Sequence, residues 1–242
     1  SQNNIIVSFV FGGTCLIYQA DDPSNPVSTV NEVGNPNNRC DSAIVKFNSD
    51  GQFIWNTVIS GTDEEWPIWM VCDTDDNLYC SSSTDSDPIN VYNMNDLSNP
   101  AITLNGFGSL IYYDYLVKFN STGMSQWATR IGGSNDTYNC MIDIDSNNNL
   151  YLISSYADAD VGFYNAGDQT TSAITLPSSG GYEVFVAKYN TSGIVQWATH
   201  VSGIDDEREW HSIVAIAQFA AEVKAGLAAY HDRVRNRSFL EK

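Results

Sequence analysis

Lysine and arginine are scarce in this chain. They number 11 against 29 aspartates and glutamates over 242 residues, which gives a formal net charge of −18. A surface of this sign repels nucleic-acid phosphates and anionic lipid headgroups, so nucleic acid is excluded as a partner class. Acidity of this kind commonly serves solubility alone, and a dedicated cation-binding role is the alternative.

Long hydrophobic runs are also lacking. No stretch of 18 consecutive apolar residues occurs, whereas a membrane-spanning helix needs about 20. We therefore expect no membrane span. The first residues lack the basic region and apolar core of a signal peptide, although a mature secreted chain would begin in the same way.

Cysteine and histidine are few and scattered. The five cysteines and three histidines show no zinc-ligand spacing. Cys72 and Cys80 flank an aspartate-rich turn, so we expect them either to face each other across a hairpin as a disulfide or to remain as two thiols in a half-buried strand.

Familiar catalytic motifs are missing as well. The sequence contains no Gly-x-Ser-x-Gly, no phosphate-binding loop and no His-Glu-x-x-His, which removes support for the usual hydrolase, nucleotide-dependent and zinc-protease chemistries. A glycosidase would need two carboxylates converging in a pocket. We assign no catalytic residue and predict that the chain is not an enzyme.

What the chain does have is one phrase written three times. The copies occupy residues 42–55, 114–127 and 184–197, so they begin 72 and then 70 residues apart. In each copy, alternating apolar and polar residues are followed by Asn-x-x-Gly and by a second segment that carries a tryptophan. Period-two alternation predicts strands, and Asn with Gly predicts a tight turn, so the phrase predicts a β-hairpin.

The repeated unit is longer than this phrase. An acidic loop, a third strand opened by Trp66 or Tyr138, an aspartate-rich turn and a fourth strand follow it, and the long connections repeat as well. The unit therefore predicts a four-stranded antiparallel meander. The first segment of the chain, residues 4–9, resembles the fourth strand of a unit and is expected to be an outer strand.

These motifs resemble the bacterial family of seven-bladed β-propeller-type repeats. Residues 185–190 with Gly193 and Trp197 fit the first half of the family's repeat, and residues 145–151 fit the second half. The resemblance covers roughly residues 4–216 and implies an all-β fold. That fold comprises three β-propeller-like, four-stranded antiparallel blades of about 71 residues, in a closed ring or an open arc. It also implies that the N-terminal strand pairs into the last blade or into a neighbouring molecule.

The C-terminal tail follows another period. Phe219, Val223, Leu227, Tyr230 and Val234 recur at helical spacing. We therefore divide the chain into a β-repeat domain, residues 1–216, and a C-terminal amphipathic α-helix within residues 217–242. This helix is expected to cap the β domain, to dock onto a partner or to lie on a membrane surface.

Two sets of loop residues are the candidate sites. Aromatic rings beside acidic loops are typical of glycan or cation binding. Alternating oxygen ligands suit Ca²⁺, which is the one cofactor that the sequence suggests. The ligand-binding candidates are Trp66, Trp69, Tyr138, Asp63, Glu64, Asp136, Asp205 and Asp206. The calcium candidates are Asp73, Asp75, Asp145, Asn147 and Asn149.

The leading functional hypothesis is a non-enzymatic structural or adhesive protein. Its polar, Asn/Ser/Thr-rich surface favours a place outside the cell, on a filament or on a virion, with contacts to other proteins that include copies of itself. A glycan- or cation-binding propeller module is the alternative, and exposure of its aromatic rings would favour that reading.

Overall fold

The structure is a computed structural model that describes residues 3–33, 40–66, 68–108 and 111–202. In these ranges the chain forms strands and turns and no helix, which confirms the predicted all-β class. The predicted helix lies outside the described residues. The strands are β1 (Ile5–Phe11), β2 (Thr14–Ile17), β3 (Ser28–Asn31), β4 (Asp41–Phe47), β5 (Phe53–Ser60), β6 (Trp69–Cys72), β7 (Leu78–Thr84), β8 (Ile89–Val91), β9 (Ile102–Leu104), β10 (Tyr113–Phe119), β11 (Ser125–Gly132), β12 (Thr137–Ile144), β13 (Leu150–Ala157), β14 (Val161–Tyr164), β15 (Ser172–Leu176), β16 (Tyr182–Tyr189) and β17 (Val195–Val201).

The repeated phrase forms the predicted hairpin in all three copies, as β4–β5, β10–β11 and β16–β17. In the first turn the side-chain oxygen of Asn48 accepts from the backbone N–H groups of Asp50 (2.9 Å) and Gln52 (2.8 Å). Gly51 has φ +75°, a conformation that disfavours residues with a Cβ. The Asn-x-x-Gly spelling is therefore explained by the geometry of the turn.

Strands from successive copies build each sheet. The pairs β7–β10 and β13–β16 join the third and fourth strands of one copy to the hairpin of the next copy. This corrects the predicted meander, in which all four strands came from one copy. The second sheet has the order β15-β14-β11-β10-β7-β6, and the third has the order β12-β13-β16-β17.

The long connections explain this pairing. The hairpin β8–β9 adds to β5 of the preceding sheet, where Ile59 pairs with Val91, before the chain returns to form β10 beside β7. The hairpin β14–β15 adds to β11 in the same way. The two remaining N-terminal strands, β2 and β3, pair with each other. Because the connection repeats with the unit, it is part of the architecture.

The first sheet has the order β1-β4-β5-β8-β9. The pairing of β1 with β4 has the register of β7 with β10 and of β13 with β16, since Ile5 faces Phe47, Leu78 faces Phe119 and Leu150 faces Tyr189. The strand therefore corresponds to β7 and β13, which lie second in their four-stranded units. In the described residues β1 is nevertheless the edge strand of its sheet, which confirms that it is an outer strand.

The core lies between neighbouring sheets. One cluster joins Trp55 of the first sheet to Leu78 and Phe119 of the second. The next joins Tyr79 of the second sheet to Leu152 of the third. Because burial of each large side chain contributes about 1.5–3 kcal/mol, face-to-face packing of the sheets stabilises the array.

Candidate functional site

A row of four aromatic rings lies where β6, β10, β12 and β16 begin. The ring centroids of Trp66 and Tyr112 are 6.0 Å apart, those of Tyr112 and Tyr138 are 5.5 Å apart, and those of Tyr138 and Tyr182 are 6.2 Å apart. Trp66 is 40% exposed, and the three tyrosines are half-buried. The row thus places two predicted ligand-binding rings, Trp66 and Tyr138, on one side of neighbouring sheets.

Asp136 holds two members of this row. Its carboxylate accepts a hydrogen bond from the backbone N–H of Tyr112 (2.9 Å) and another from the hydroxyl of Tyr138 (2.6 Å). Burial raises the pKa of Tyr138, and the hydrogen bond and negative charge of Asp136 raise it further. Asp136, a predicted ligand-binding residue, therefore uses its carboxylate in hydrogen bonds within the chain and positions Tyr112 and Tyr138.

A cavity of about 380 Å³ opens beside the row, between the second and third sheets. Trp69, another predicted ligand-binding residue, is 46% exposed at this cavity. A bulge in β12, where Asn139 has φ +67°, shapes the opposite wall. The lining residues are Trp66, Ile68, Trp69, Ser82, Ser83, Asn139 and Cys140.

Consecutive residues of the first acidic loop have different environments. Glu64 is exposed and Asp63 is half-buried, whereas Glu65 is buried. The backbone N–H of Asp63 donates to Ser86 Oγ (2.8 Å). The other predicted acidic residues, Asp205 and Asp206, lie outside the described residues.

Glu65 and Asp41 form a buried carboxyl pair that sequence reasoning missed. Burial raises the pKa of Glu65 to about 9 and that of Asp41 to about 6. The two carboxyls are electrostatically coupled, since the negative charge of Asp41 raises the pKa of Glu65 further. The backbone N–H of Glu65 donates to the Cys40 carbonyl (3.1 Å). No sequence signal separates Glu65 from its acidic neighbours, because its burial depends on pairing between distant strands.

The calcium candidates lie in two corresponding turns. Asp73 accepts from the backbone N–H groups of Asp75 and Asn77 and from the Tyr79 hydroxyl, each at 2.9 Å. The two turns also touch, since the Asn148 amide donates to Thr74 Oγ1 at 3.0 Å. Within the described ranges, no group of three or more His, Cys, Asp or Glu side chains is arranged to hold a metal ion. Calcium binding here stays a prediction.

The second turn repeats this pattern. Asp145 accepts from the backbone N–H groups of Asn147 and Asn149, each at 2.8 Å. Its carboxylate also accepts from the Tyr151 hydroxyl at 3.0 Å. Carboxylates that accept so many N–H and O–H donors act as caps of their own hairpins.

The cysteine pair is offset across its hairpin. Cys72 pairs with Leu78, and Cys80 pairs with Met70. Both cysteines are free thiols. Of the two alternatives that the sequence left open, the structure has the pair of thiols.

In the first two copies, a lysine and a tryptophan contact the turn of the next copy. Lys46 Nζ donates to the Ser121 carbonyl (3.1 Å), and Lys118 Nζ donates to the Thr191 carbonyl (3.3 Å). Trp127 Nε1 donates to the same Thr191 carbonyl at 3.2 Å. The lysine and the tryptophan recur in the repeated phrase, so the sequence marks both residues. It does not show that they contact the turn of the next copy.

Corresponding residues of β1, β7 and β13 differ in exposure. Ile5 is 51% exposed, whereas Leu78 and Leu150 at the same position are 1% and 0% exposed. Val7 is 39% exposed, and its counterparts Cys80 and Leu152 are fully buried. In the second and third sheets, the preceding sheet covers this face. We call Ile5, Val7 and the turn of residues 48–51 the head surface.

On the opposite face of the sheets, the exposure of corresponding side chains increases from the first copy to the third. Trp55 is 2% exposed, Trp127 is half-buried and Trp197 is 41% exposed. Ile59 and Ile131 are fully buried, whereas the corresponding Val201 is 63% exposed. We call Lys188, Trp197 and Val201 the tail surface.

Comparison with known proteins bears on the fold. No protein-family model matches the chain. The chain is similar to an uncharacterized WD repeat-containing protein of Acanthamoeba polyphaga mimivirus, with 26% identity over 163 residues. The match covers 66% of this chain and 12% of the relative. The fold is of the β-propeller repeat type.

The blades of this fold therefore correspond to the three main sheets. Within the described residues, the first and third sheets share no paired strand. The same residues include no helix with the length and hydrophobicity that a membrane crossing requires.

Proposed function

We propose that this chain is a non-enzymatic, structural or adhesive module that acts through protein–protein contacts, with the unpaired edge of β1 as an acceptor for an added strand. One observation carries the proposal. In the second and third sheets an additional edge strand, β6 or β12, lies beside the counterpart of β1. In the described part of the first sheet, β1 is the edge.

An unpaired strand edge presents N–H and C=O groups that an extended segment from another chain can satisfy. A donor of suitable sequence exists in this chain. Residues 210–216 follow β17 much as β6 follows β5 and β12 follows β11. These residues lie outside the described ranges, and in the proposal they serve as the donor strand for another copy.

The proposal also includes the location of the protein. We place the protein outside the cell, on a filament or on a virion, as one array of bacterial-type seven-bladed propeller repeats. A relative from a virus supports this setting, and WD repeats are themselves units of β-propellers. The acidic surface argues against nucleic acid as the partner.

Strand addition can be tested with a labelled peptide that has the sequence of residues 209–217. We expect saturable binding to the full chain, measured by fluorescence anisotropy. The same peptide with Ile213→Pro should not bind, because proline removes a ladder hydrogen bond. Val7→Lys in the chain should weaken binding, since charged side chains protect strand edges. Equal binding of both peptides would refute the proposal.

Glycan binding is a second candidate, favoured by the exposed Trp66 and Trp69 beside the cavity. Flat apolar rings next to polar groups suit the faces and hydroxyls of a sugar. A panel of oligosaccharides titrated against intrinsic tryptophan fluorescence tests this idea. Trp69→Ala should abolish any response, while Met124→Ala, at another exposed apolar side chain, should leave it unchanged. A response that survives Trp69→Ala would contradict this site.

A further inference from the structure

The tail surface is already arranged as at an internal joint between copies. In the occupied joint, Lys118 Nζ lies 5.1 Å from the ring centroid of Tyr79, and the Tyr79 and Trp127 rings are 6.1 Å apart. In the tail surface, Lys188 Nζ lies 5.6 Å from the ring of Tyr151, and Tyr151 and Trp197 are 6.2 Å apart. The same arrangement of lysine, tyrosine and tryptophan is thus present at both places.

The head surface offers the matching turn. Its Gly51 carbonyl accepts from the backbone N–H of Ala20 (3.1 Å), as Gly193 accepts from Ala166 (2.9 Å). A Cβ on Gly193 would lie 2.9 Å from the Trp127 ring, whereas the three atoms nearest a Cβ on Gly51 all belong to Ala20. The turn is therefore formed in the same way, and the tryptophan of a preceding copy is missing from its surroundings.

We propose that the tail surface binds the head surface of a second copy of this chain. In this joint, Trp197 packs against the turn of residues 48–51, and Lys188 Nζ donates to the Ser49 carbonyl of the second copy. Val201 then covers Val7 as Ile59 and Ile131 cover their partners inside the array. The inference rests on the proposed function, because it names the partner and the surface for contacts between proteins.

The chain itself argues for a second copy as the occupant. The tail surface repeats the lysine and tyrosine arrangement of the occupied joint, and the turn of residues 48–51 is formed like the turn that fills that joint. One copy carries both complementary surfaces, and a second copy brings both again. Such a head-to-tail contact is heterologous, so it generates either a closed ring or a filament.

The test measures assembly of the full chain by sedimentation velocity across a range of concentrations. The wild-type chain should associate. Trp197→Ser should weaken association by about tenfold or more, as expected for a central tryptophan. Ser49→Lys, which places a second positive charge beside Lys188, should act in the same direction. Trp66→Ser is the matched control, because Trp66 is 40% exposed, about as much as Trp197, but belongs to neither the head surface nor the tail surface.

Mixing the two variants gives the sharper result. Trp197→Ser retains an intact head surface and Ser49→Lys retains an intact tail surface, so their mixture should form a one-to-one dimer and nothing larger. Circular dichroism melts should match the wild type and show that both variants fold. A monomeric wild type, or association that neither variant weakens, would overturn the inference. Peptide binding to β1 is measured separately, so the proposed function could survive that outcome.

Discussion

The ammonium group of Lys118 donates to the backbone carbonyl of Thr191, 73 residues away, at 3.3 Å. Trp127 Nε1 donates to the same carbonyl at 3.2 Å. One backbone group in the turn of the third copy thus anchors two side chains of the second copy. The turn closes its hairpin and also forms the joint between neighbouring sheets.

Close contact at this joint predicts a large effect of Gly193→Ala. A Cβ there would lie 2.6 Å from Ala166 Cβ and 2.9 Å from the Trp127 ring, and φ is +73°. We expect a loss of about 3 kcal/mol or more of unfolding free energy, measured by urea denaturation. Gly167→Ala is the control, since its φ is +84° with nothing within 4 Å. That change should cost about 1 kcal/mol, and equal losses would contradict the role of the contact.

The carboxyl pair predicts a pH dependence of stability. The folded pKa of Glu65 is about 9, above its ordinary value of 4.5. Between these values the folded chain binds more protons than the unfolded chain, so stability falls as pH rises through this window. Asp41, whose pKa is raised to about 6 by burial and by the nearby Glu32, acts in the same direction.

Glu65→Gln should remove most of this dependence, because its amide does not titrate and carries no charge beside Asp41. At pH 8 we expect a gain of the order of 3 kcal/mol in unfolding free energy. Urea denaturation at several pH values is the measurement. Glu64→Gln, at the exposed neighbour, is the control and should leave the slope unchanged. A slope that persists in Glu65→Gln would show that another group titrates.

The repeat predicts much of the fold because its signals are local. Period-two alternation and the Asn-x-x-Gly turn specify each hairpin within about a dozen residues, and the structure has all three hairpins. The sequence did not predict that strands from successive copies pair. The hairpin β8–β9 lies in a segment that looks like a simple connection, and only its pairing with β5 shows that it belongs to a sheet.

The candidate site was predictable in part for the same reason. Trp66 and Trp69 are exposed, but period and composition do not tell a ring on the surface from a ring between sheets. Likewise, Asp136 and Glu64 are both acidic loop residues, and only the backbone geometry shows that Asp136 accepts from Tyr112 and Tyr138. Sequence identifies which groups are present, whereas long-range pairing decides which of them remain free to bind.

The aspartate-rich turns give a test of the calcium prediction. Asp145→Ala removes the hydrogen bonds to the backbone N–H groups of Asn147 and Asn149, and should cost about 1–2 kcal/mol of unfolding free energy. If Ca²⁺ binds, millimolar Ca²⁺ should raise the melting temperature of the wild type and not of this variant. Asp168→Ala removes a similar cap, to Thr170, and should leave the calcium response intact. Identical responses of all three proteins would rule out this turn.

Arg130 is predicted to be the most sensitive cation of the array. Its guanidinium carbon lies 4.1 Å from the ring centroid of Phe107 and 4.6 Å from that of Tyr164. Its nitrogens donate to the backbone carbonyls of Asn105 (2.7 Å) and Gln169. The guanidinium thus joins the connection that contains β8 and β9 to the connection that contains β14 and β15. Lysine cannot reproduce this planar set of donors.

We expect Arg130→Lys to lower the unfolding free energy by about 2–3 kcal/mol, because the lysine ammonium stacks less well and reaches fewer carbonyls. Urea denaturation measures the loss. Arg130→Met is the companion variant, since methionine keeps an apolar stem between the rings but leaves the carbonyls unpaired. It should cost at least as much, because buried carbonyls without donors are unfavourable. If Arg130→Met were as stable as the wild type, packing between Phe107 and Tyr164 would account for the residue, and the hydrogen bonds would contribute nothing measurable.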